Sequence, residues 1–328
     1  MTFKRRLMAS IAFGWVLAAS ANAGTLAQDF VHPPADTRPM VRWWWFGPAV
    51  VPDELVREIK VMKQGGFGGF EIQPVYPLQL DDPAKGIKNL TYLSDDFQKA
   101  VTVASDTGRA EGMRVDITLG SGWPYGGPYI PATEASSKVM LSKVPVPANA
   151  IDVALPTPNA GERWIAAFLV DAATADGAAK AMQVTFDASG HVKVPAATGD
   201  RTLLVVMQGR TGQQVKRPGV GGEGFVLDHM SNTAVQHHLK VVADRLITAF
   251  GDHPPYAVFS DSLEVYGADW TDDLIPEFQK RRGYDLTPHL LQLFYDSADS
   301  AAVRHDWGQT LSELTDERYL TPINDWAK

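Results

Sequence analysis

The chain has 328 residues, with 30 Lys and Arg against 38 Asp and Glu and a formal charge of −8, so it offers no basic field for a polyphosphate, and nucleic acid is excluded as the expected partner. The absence of cysteine removes a disulfide framework, a thiolate zinc site and a thiol nucleophile. Nine Trp and nine Tyr suit core packing and also the stacking of rings on sugars.

Residues 1–23 read as an export signal, with Lys4, Arg5 and Arg6 before an apolar run and Ala21-Asn22-Ala23 as the cleavage site. The apolar run is short for a membrane span and no stop-transfer segment follows, which predicts an exported periplasmic or extracellular bacterial protein with no membrane span. After a Pro-rich lead, Val41 to Phe46 reads as a strand stopped by Gly47-Pro48. Pro52, Asp53 and Glu54 open a helix whose apolar positions are Leu55, Ile59 and Met62, and Gly65-Gly66 ends it. A second strand follows around Phe70 to Ile72, with Glu71 inside it. The cycle repeats with a helix capped by Ser94 and striped by Phe97, Val101 and Ala104, then a third strand from Val115 to Leu119. That strand runs into a glycine-rich loop holding Trp123 and Tyr125.

Residues 140–224 break the rhythm. RWIAAFLVDA, MQVTFDASGHVKV and RTLLVVMQG read as strands with no helix between them, and Asp187 to Gly190 as a hairpin turn, which predicts an inserted β-rich subdomain. Helical spacing returns from Ser231 with Val235, Leu239, Val242 and Leu246. A short strand, Ala257 to Phe259, then delivers Ser260, Asp261, Ser262 and Glu264, with Tyr266, Gly267 and Trp270 behind them. Another helix closes at Arg281-Arg282-Gly283, and residues 287–328 read as helical with no fifth strand. The fold class is therefore α/β, the first half of a (β/α)8 barrel of the TIM type: residues 36–139 form its first part, 140–224 the insert, and 225–328 an apparently truncated continuation.

In such a fold the carboxyl ends of the strands carry the site, which makes Glu264 the first candidate for chemistry. Asp261, Glu71, Asp228 and His229 are the polar candidates for binding substrate, and Trp123, Tyr125 and Trp270 the stacking ones. Asp116 reads as a carboxylate paired near its strand start. Gly219 to Gly224 matches a dinucleotide fingerprint by letters, but an extended segment follows where a helix is needed. His237 and His238 are adjacent, so they face apart on a helix rather than converging on a metal. Spacing assigns no metal ligand.

RPMVRWWWFGPAV, GGFGGFEI, ITLGSGWPYGG, GGEGFVLDH and FSDSLEVYGADWTDDLIPEFQKRRGYDL, in this order over residues 36–290, together resemble glycoside hydrolase family 106, the α-L-rhamnosidases. The resemblance implies an inverting glycosidase on a (β/α)8 barrel with β-rich insertions, assisted by calcium, acting on a rhamnose-containing glycan or glycoside. It also implies a general-acid glutamate at Glu264, with the catalytic base on a later strand beyond Lys328. A general acid needs a raised pKa, which a mouth lined by Trp and Tyr beside Asp261 would supply. Two other readings share these residues: a barrel glycosidase for a different sugar, and a non-catalytic carbohydrate-binding protein using Trp123, Tyr125 and Trp270 as platforms.

Overall fold

A computed structural model describes residues 26–171 and 180–328. The expected export signal lies outside the described residues. Residues 26–38 form a unit of their own, with helix α1 (Leu26–Val31) and a 3-10 turn (Ala35–Thr37). The second unit begins at Pro39 and holds everything that follows.

It opens with the predicted alternation of strand and helix: β1 (Met40–Phe46), α2 (Pro52–Gln64), β2 (Gly69–Val75), α3 (Asp95–Ala110) and β3 (Arg114–Thr118). Pro52 stands in the first turn of α2, where its missing N–H costs nothing, and Asp53 and Glu54 face the positive helix end. The Ser94 hydroxyl accepts the Phe97 N–H at 3.2 Å and so caps α3. Gly108 lets this helix settle on the sheet, because a Cβ there would stand 2.6 Å from Val115 Cγ2.

A long excursion follows: β4 (Gly126–Gly127), β5 (Ser137–Val146), β6 (Asp152–Ala154), β7 (Arg163–Asp171), β8 (Met182–Val184), β9 (His191–Lys193), β10 (Arg201–Arg210) and β11 (Phe225–Val226). Helices α4 (Asn232–His238) and α5 (Asp244–Thr248), joined through a π-helical turn, return the chain to β12 (Ala257–Phe259). Then come α6 (Leu274–Arg282), a 3-10 segment (Thr287–Leu293), α7 (Ser300–Thr315), a π turn (Asp316–Leu320) and α8 (Thr321–Trp326). Helix α6 ends as its sequence predicts, with Gly283 in the left-handed region at φ +84°.

Strands β1, β2, β3 and β12 make one parallel sheet in sequence order. Its register sets Arg42 beside Glu71 and Glu71 beside Asp116, with Thr118 beside Phe259. Because strand side chains alternate, Val41, Trp43, Trp45, Phe70, Ile72, Val115, Ile117 and Val258 share one face. That face packs on Leu55, Ile59, Phe97, Val101, Val235, Leu239 and Val242 of the helices in a single core. Arg42, Trp44, Phe46, Glu71, Gln73, Asp116, Thr118 and Phe259 take the opposite face.

The insert is built on a second sheet, antiparallel, in the order β5-β10-β7-β8. Both of its faces are apolar. Ala167, Leu169, Leu203, Val205 and Met207 pack toward Val153 and Val192 of the small β6-β9 pair. Ala166, Phe168, Val170, Leu204 and Val206 pack toward Leu274, Phe278, Leu290, Val303 and Leu314. Helices α6 and α7, expected to continue the barrel, thus lie against the insert's sheet. The turn from Asp187 to Gly190 forms, with the Gly190 N–H on the Asp187 carbonyl at 3.0 Å. The strands flanking it pair elsewhere, β8 with β7 and β9 with β6, while Val184 and Val192 pack into one shared core.

Candidate active site at the carboxyl ends of the parallel strands

Side chains from the polar face of the parallel sheet meet around one guanidinium, with Arg42 and Glu71 standing mid-strand, Thr118 at the carboxyl end of β3 and Asp261 just past that of β12. Arg42 donates to Asp261 Oδ2 at 2.6 Å and to Gln73 Oε1 at 2.9 Å. Its Nε lies 3.7 Å from Glu71 Oε2, and the group sits 4.6 Å over the Phe259 ring. The Thr118 hydroxyl reaches Glu71 Oε1 at 2.5 Å and Gln73 Oε1 at 2.6 Å, and having one proton it donates to one of them at a time. Gln73 is fully buried and its Nε2 has no hydrogen-bond partner. Burial pushes the Glu71 carboxyl up, against the opposing pull of Thr118 and Arg42, while Asp261 and Asp116 push it further up. Two candidates named from sequence, Glu71 and Asp261, are thus joined by a residue that sequence reasoning missed. The signal was available: alternation along Arg42-Trp43-Trp44-Trp45 puts Arg42 and Trp44 on the face away from the core.

The loop leaving β12 is held at its base. Tyr125 donates to the Phe259 carbonyl at 2.6 Å, and the hydroxyls of Ser260 and Tyr319 are 2.7 Å apart. Asp261 Oδ1 accepts the Ser262 N–H at 2.7 Å, which turns the chain toward Glu264. Glu264 is partly exposed, and its carboxylate pairs with Lys216 Nζ at 2.5 Å, with the Tyr266 hydroxyl at 3.5 Å. The Lys216 ammonium holds this carboxyl below its usual range, helped by Trp123 and Tyr266. The expectation of a raised pKa is therefore overturned in this state. A cation from the insert stands where sequence reading placed only rings and a second carboxylate, and Lys216 lies too far away in sequence for spacing to show it.

Trp123 stands on this rim, its ring centroid 6.2 Å from that of Trp44, and Phe46 packs edge-on to Tyr76 at 5.6 Å. Gly122 permits the close approach of the segment bearing Lys216: its φ is +71°, and a Cβ would stand 2.1 Å from the Lys216 carbonyl oxygen. Tyr125 and Trp270 are corrections. Tyr125 is 2 % exposed and stacks on His238 at 4.6 Å, so its ring is spent inside the fold. Trp270 is wholly buried in the second core with Leu274 and Phe278. Neither offers a face to a sugar.

Asp228 and His229 are buried and border the loop that follows β12, with His229 edge-on to Tyr319 at 4.6 Å. They line a pocket of about 210 Å³ with Leu263, Val265 and Leu311. Burial pushes the Asp228 carboxyl up to about 7, and burial with His238 nearby pushes the His229 imidazole down to about 3, so the ring is neutral. Asp116, beside the Ala257 backbone, is pushed up by burial. His238 is buried and His237 bonds Glu134 at 2.7 Å, so the two point apart as predicted. Gly219–Gly224 leads into the extended β11 and not into a helix. Among the described residues no group of three or more His, Asp or Glu is placed to hold a metal ion. Glu71 and Asp261 share the Arg42 guanidinium. No described residue is assigned to calcium, and no step is routed through it. No described helix is long and apolar enough to cross a membrane.

The family model described as alpha-L-rhamnosidase, a glycoside hydrolase family, matches residues 31–181 and 174–328. A curated relative from Formosa agariphila, described as a putative beta-glucuronidase, is 23% identical over 348 residues, covering 92% of this chain and 29% of that protein. The structure of a rhamnosidase from Novosphingobium sp. PP1Y superposes with a TM-score of 0.69 at 15% identity, covering 92% of this chain and 46% of that one. The chain thus spans less than half the length of either relative, and the second likeness is one of fold.

Proposed function

Because the chain belongs to the α-L-rhamnosidase family of glycoside hydrolases, we propose that it carries the acid-bearing part of an enzyme that cleaves terminal α-L-rhamnosides from plant or microbial glycans with inversion. The observation that carries this reading is the loop Ser260–Tyr266, which leaves the carboxyl end of β12 with Asp261 paired to Arg42 on the polar face of the sheet and Glu264 on an aromatic rim.

Glycoside hydrolysis needs one carboxyl to protonate the departing oxygen and another to activate water across the ring, about 6.5–9.5 Å away for inversion. Glu264 is the proton donor in this reading. The base belongs to a later strand of the same barrel, beyond Lys328. Four parallel strands in sequence order, with helices on one face and polar and aromatic groups on the other, support half of a (β/α)8 barrel over a doubly wound sheet. A doubly wound sheet has helices over both faces and apolar residues on both. Trp44 and Trp123 supply ring faces for the sugar, and Arg42, Glu71 and Asp261 the hydrogen bonds to its hydroxyls. Export through residues 1–23 completes the proposal and puts the enzyme where such glycans are met.

The relative described as a putative beta-glucuronidase favours a second reading, a different sugar on the same scaffold. Assay of the longest available reading frame against p-nitrophenyl α-L-rhamnoside, β-D-glucuronide and other aryl glycosides separates the two. Turnover of the rhamnoside alone is the expected result. Turnover of the glucuronide alone transfers the site to the second reading, and no hydrolysis of any glycoside by a folded protein sinks both.

A further inference from the structure

The loop bearing Glu264 is gripped by the insert as well as by the sheet. Gln213, on the segment returning from β10, donates to the Glu264 carbonyl at 2.5 Å and accepts the Tyr266 N–H at 2.8 Å. Its amide closes a two-point clamp on the backbone, as a neighbouring strand would. Lys216, three residues on, is itself pinned. Its N–H and C=O pair with the Trp123 carbonyl and N–H at 2.7 and 3.0 Å, and Val215 before it is buried. The ammonium then reaches Glu264 Oε2 at 2.5 Å and the Tyr266 hydroxyl at 3.0 Å, lying 4.2 Å from the Tyr266 ring centroid.

An ion pair between free surface side chains adds little to stability. This one is tethered at both ends, by Trp123 under the lysine and by Gln213 under the glutamate, and its consequence lies in protonation rather than folding. We infer that Lys216 is a positioning residue that keeps Glu264 aimed and ionised in the unliganded protein, so that Glu264 takes up its working proton only once the ammonium is drawn aside. The proton comes from solvent and leaves on the glycosidic oxygen, and Lys216 keeps its charge throughout. The charged or titratable groups facing Glu264 are Lys216 from the insert and Tyr266 from its own loop, with the neutral Trp123 indole beside them. The depression of the Glu264 carboxyl agrees with this geometry. The catalytic consequence rests on the proposed role of Glu264; the hold of Lys216 does not.

The test is a carbon-13 NMR titration of the 328-residue chain, with the Glu264 carboxyl assigned by its loss in Glu264→Gln. In the unsubstituted chain its midpoint falls below the ordinary glutamate range; in Lys216→Met it moves to higher pH, and in Lys216→Arg it stays low. Added salt, which screens exposed charges, raises the midpoint in the unsubstituted chain, and this second measurement stands if Lys216→Met fails to fold. A midpoint that ignores both the substitution and salt overturns the inference, whatever the turnover. A longer enzyme tests the consequence: Lys216→Met moves the basic limb of the kcat/KM profile to higher pH. A midpoint that shifts in a protein cleaving no glycoside supports the hold of Lys216 and removes the proposed function alone.

Discussion

The two four-stranded sheets of this protein treat their faces in opposite ways. In the insert, β10 runs Leu203-Leu204-Val205-Val206-Met207 with every side chain buried, alternately against helices and against the β6-β9 pair. In the parallel sheet, one face is as apolar as that, while the other collects Arg42, Glu71, Gln73, Asp116 and Thr118. Parallel sheets are ordinarily buried in apolar cover on both sides. Putting carboxyls and amides at 0–9 % exposure, as at Gln73 and Glu71, costs desolvation that packing elsewhere must offset. The insert's sheet is apolar on both faces, and the parallel sheet gives up stability on one face to hold a buried polar cluster.

The sharpest way to break that contrast is Glu264→Gln in an active, longer form of the enzyme. Loss of a general acid lowers kcat by about 10² to 10⁴, with binding of rhamnose and the melting temperature little changed; steady-state kinetics and calorimetry check this, and unchanged turnover removes Glu264 from the role. On the scaffold side, Leu204→Ala deletes a side chain buried between β10 and the helices, and should lower unfolding free energy by about 2–5 kcal/mol in denaturant titrations.

Asp228 supplies a pH-dependent case. Its carboxyl titrates at about 7 in the fold and near 3.9 when unfolded, so between those values the native state binds more protons than the unfolded one. Stability is therefore greatest below about pH 4 as far as this group is concerned, and falls as pH rises toward about 7. Denaturation at several pH values should show that slope and its loss in Asp228→Asn. Arg42→Met leaves Glu71 and Asp261 facing each other without their cation. With Arg42 one-third exposed, solvent softens the loss to about 1–2 kcal/mol, and the Glu71 titration midpoint, followed by NMR, should rise. At the small end, Arg57→Ala breaks a solvent-exposed pair with Glu54 and should leave the melting temperature unchanged within error.

Much of this architecture was legible in the residues. Ser94, Gly283 and the apolar stripes of α2 and α3 announce their elements through local rules of capping and period, and those rules act over a few residues. The strand-end position of Asp261 and Glu264 followed from a three-residue strand and the polar run after it. The partners of the site were not legible. Arg42 and Asp261 are 219 residues apart, and Lys216 and Glu264 are 48 apart across the boundary of an insert. Tyr125 and Trp270 were misread as sugar platforms because an aromatic ring in a glycine-rich or acidic stretch looks alike whether it faces water or a core.

By itself the sequence determined the family, the alternation of strands and helices, and the polar loop after β12 that bears Glu264, since each depends on contacts along the chain or on which residues repeat at a given period. Only the tertiary structure decided which face of the parallel sheet is polar, which rings remain open and what charge state Glu264 adopts. Those are set by groups distant in sequence, and the energy of a charge depends on what surrounds it in space.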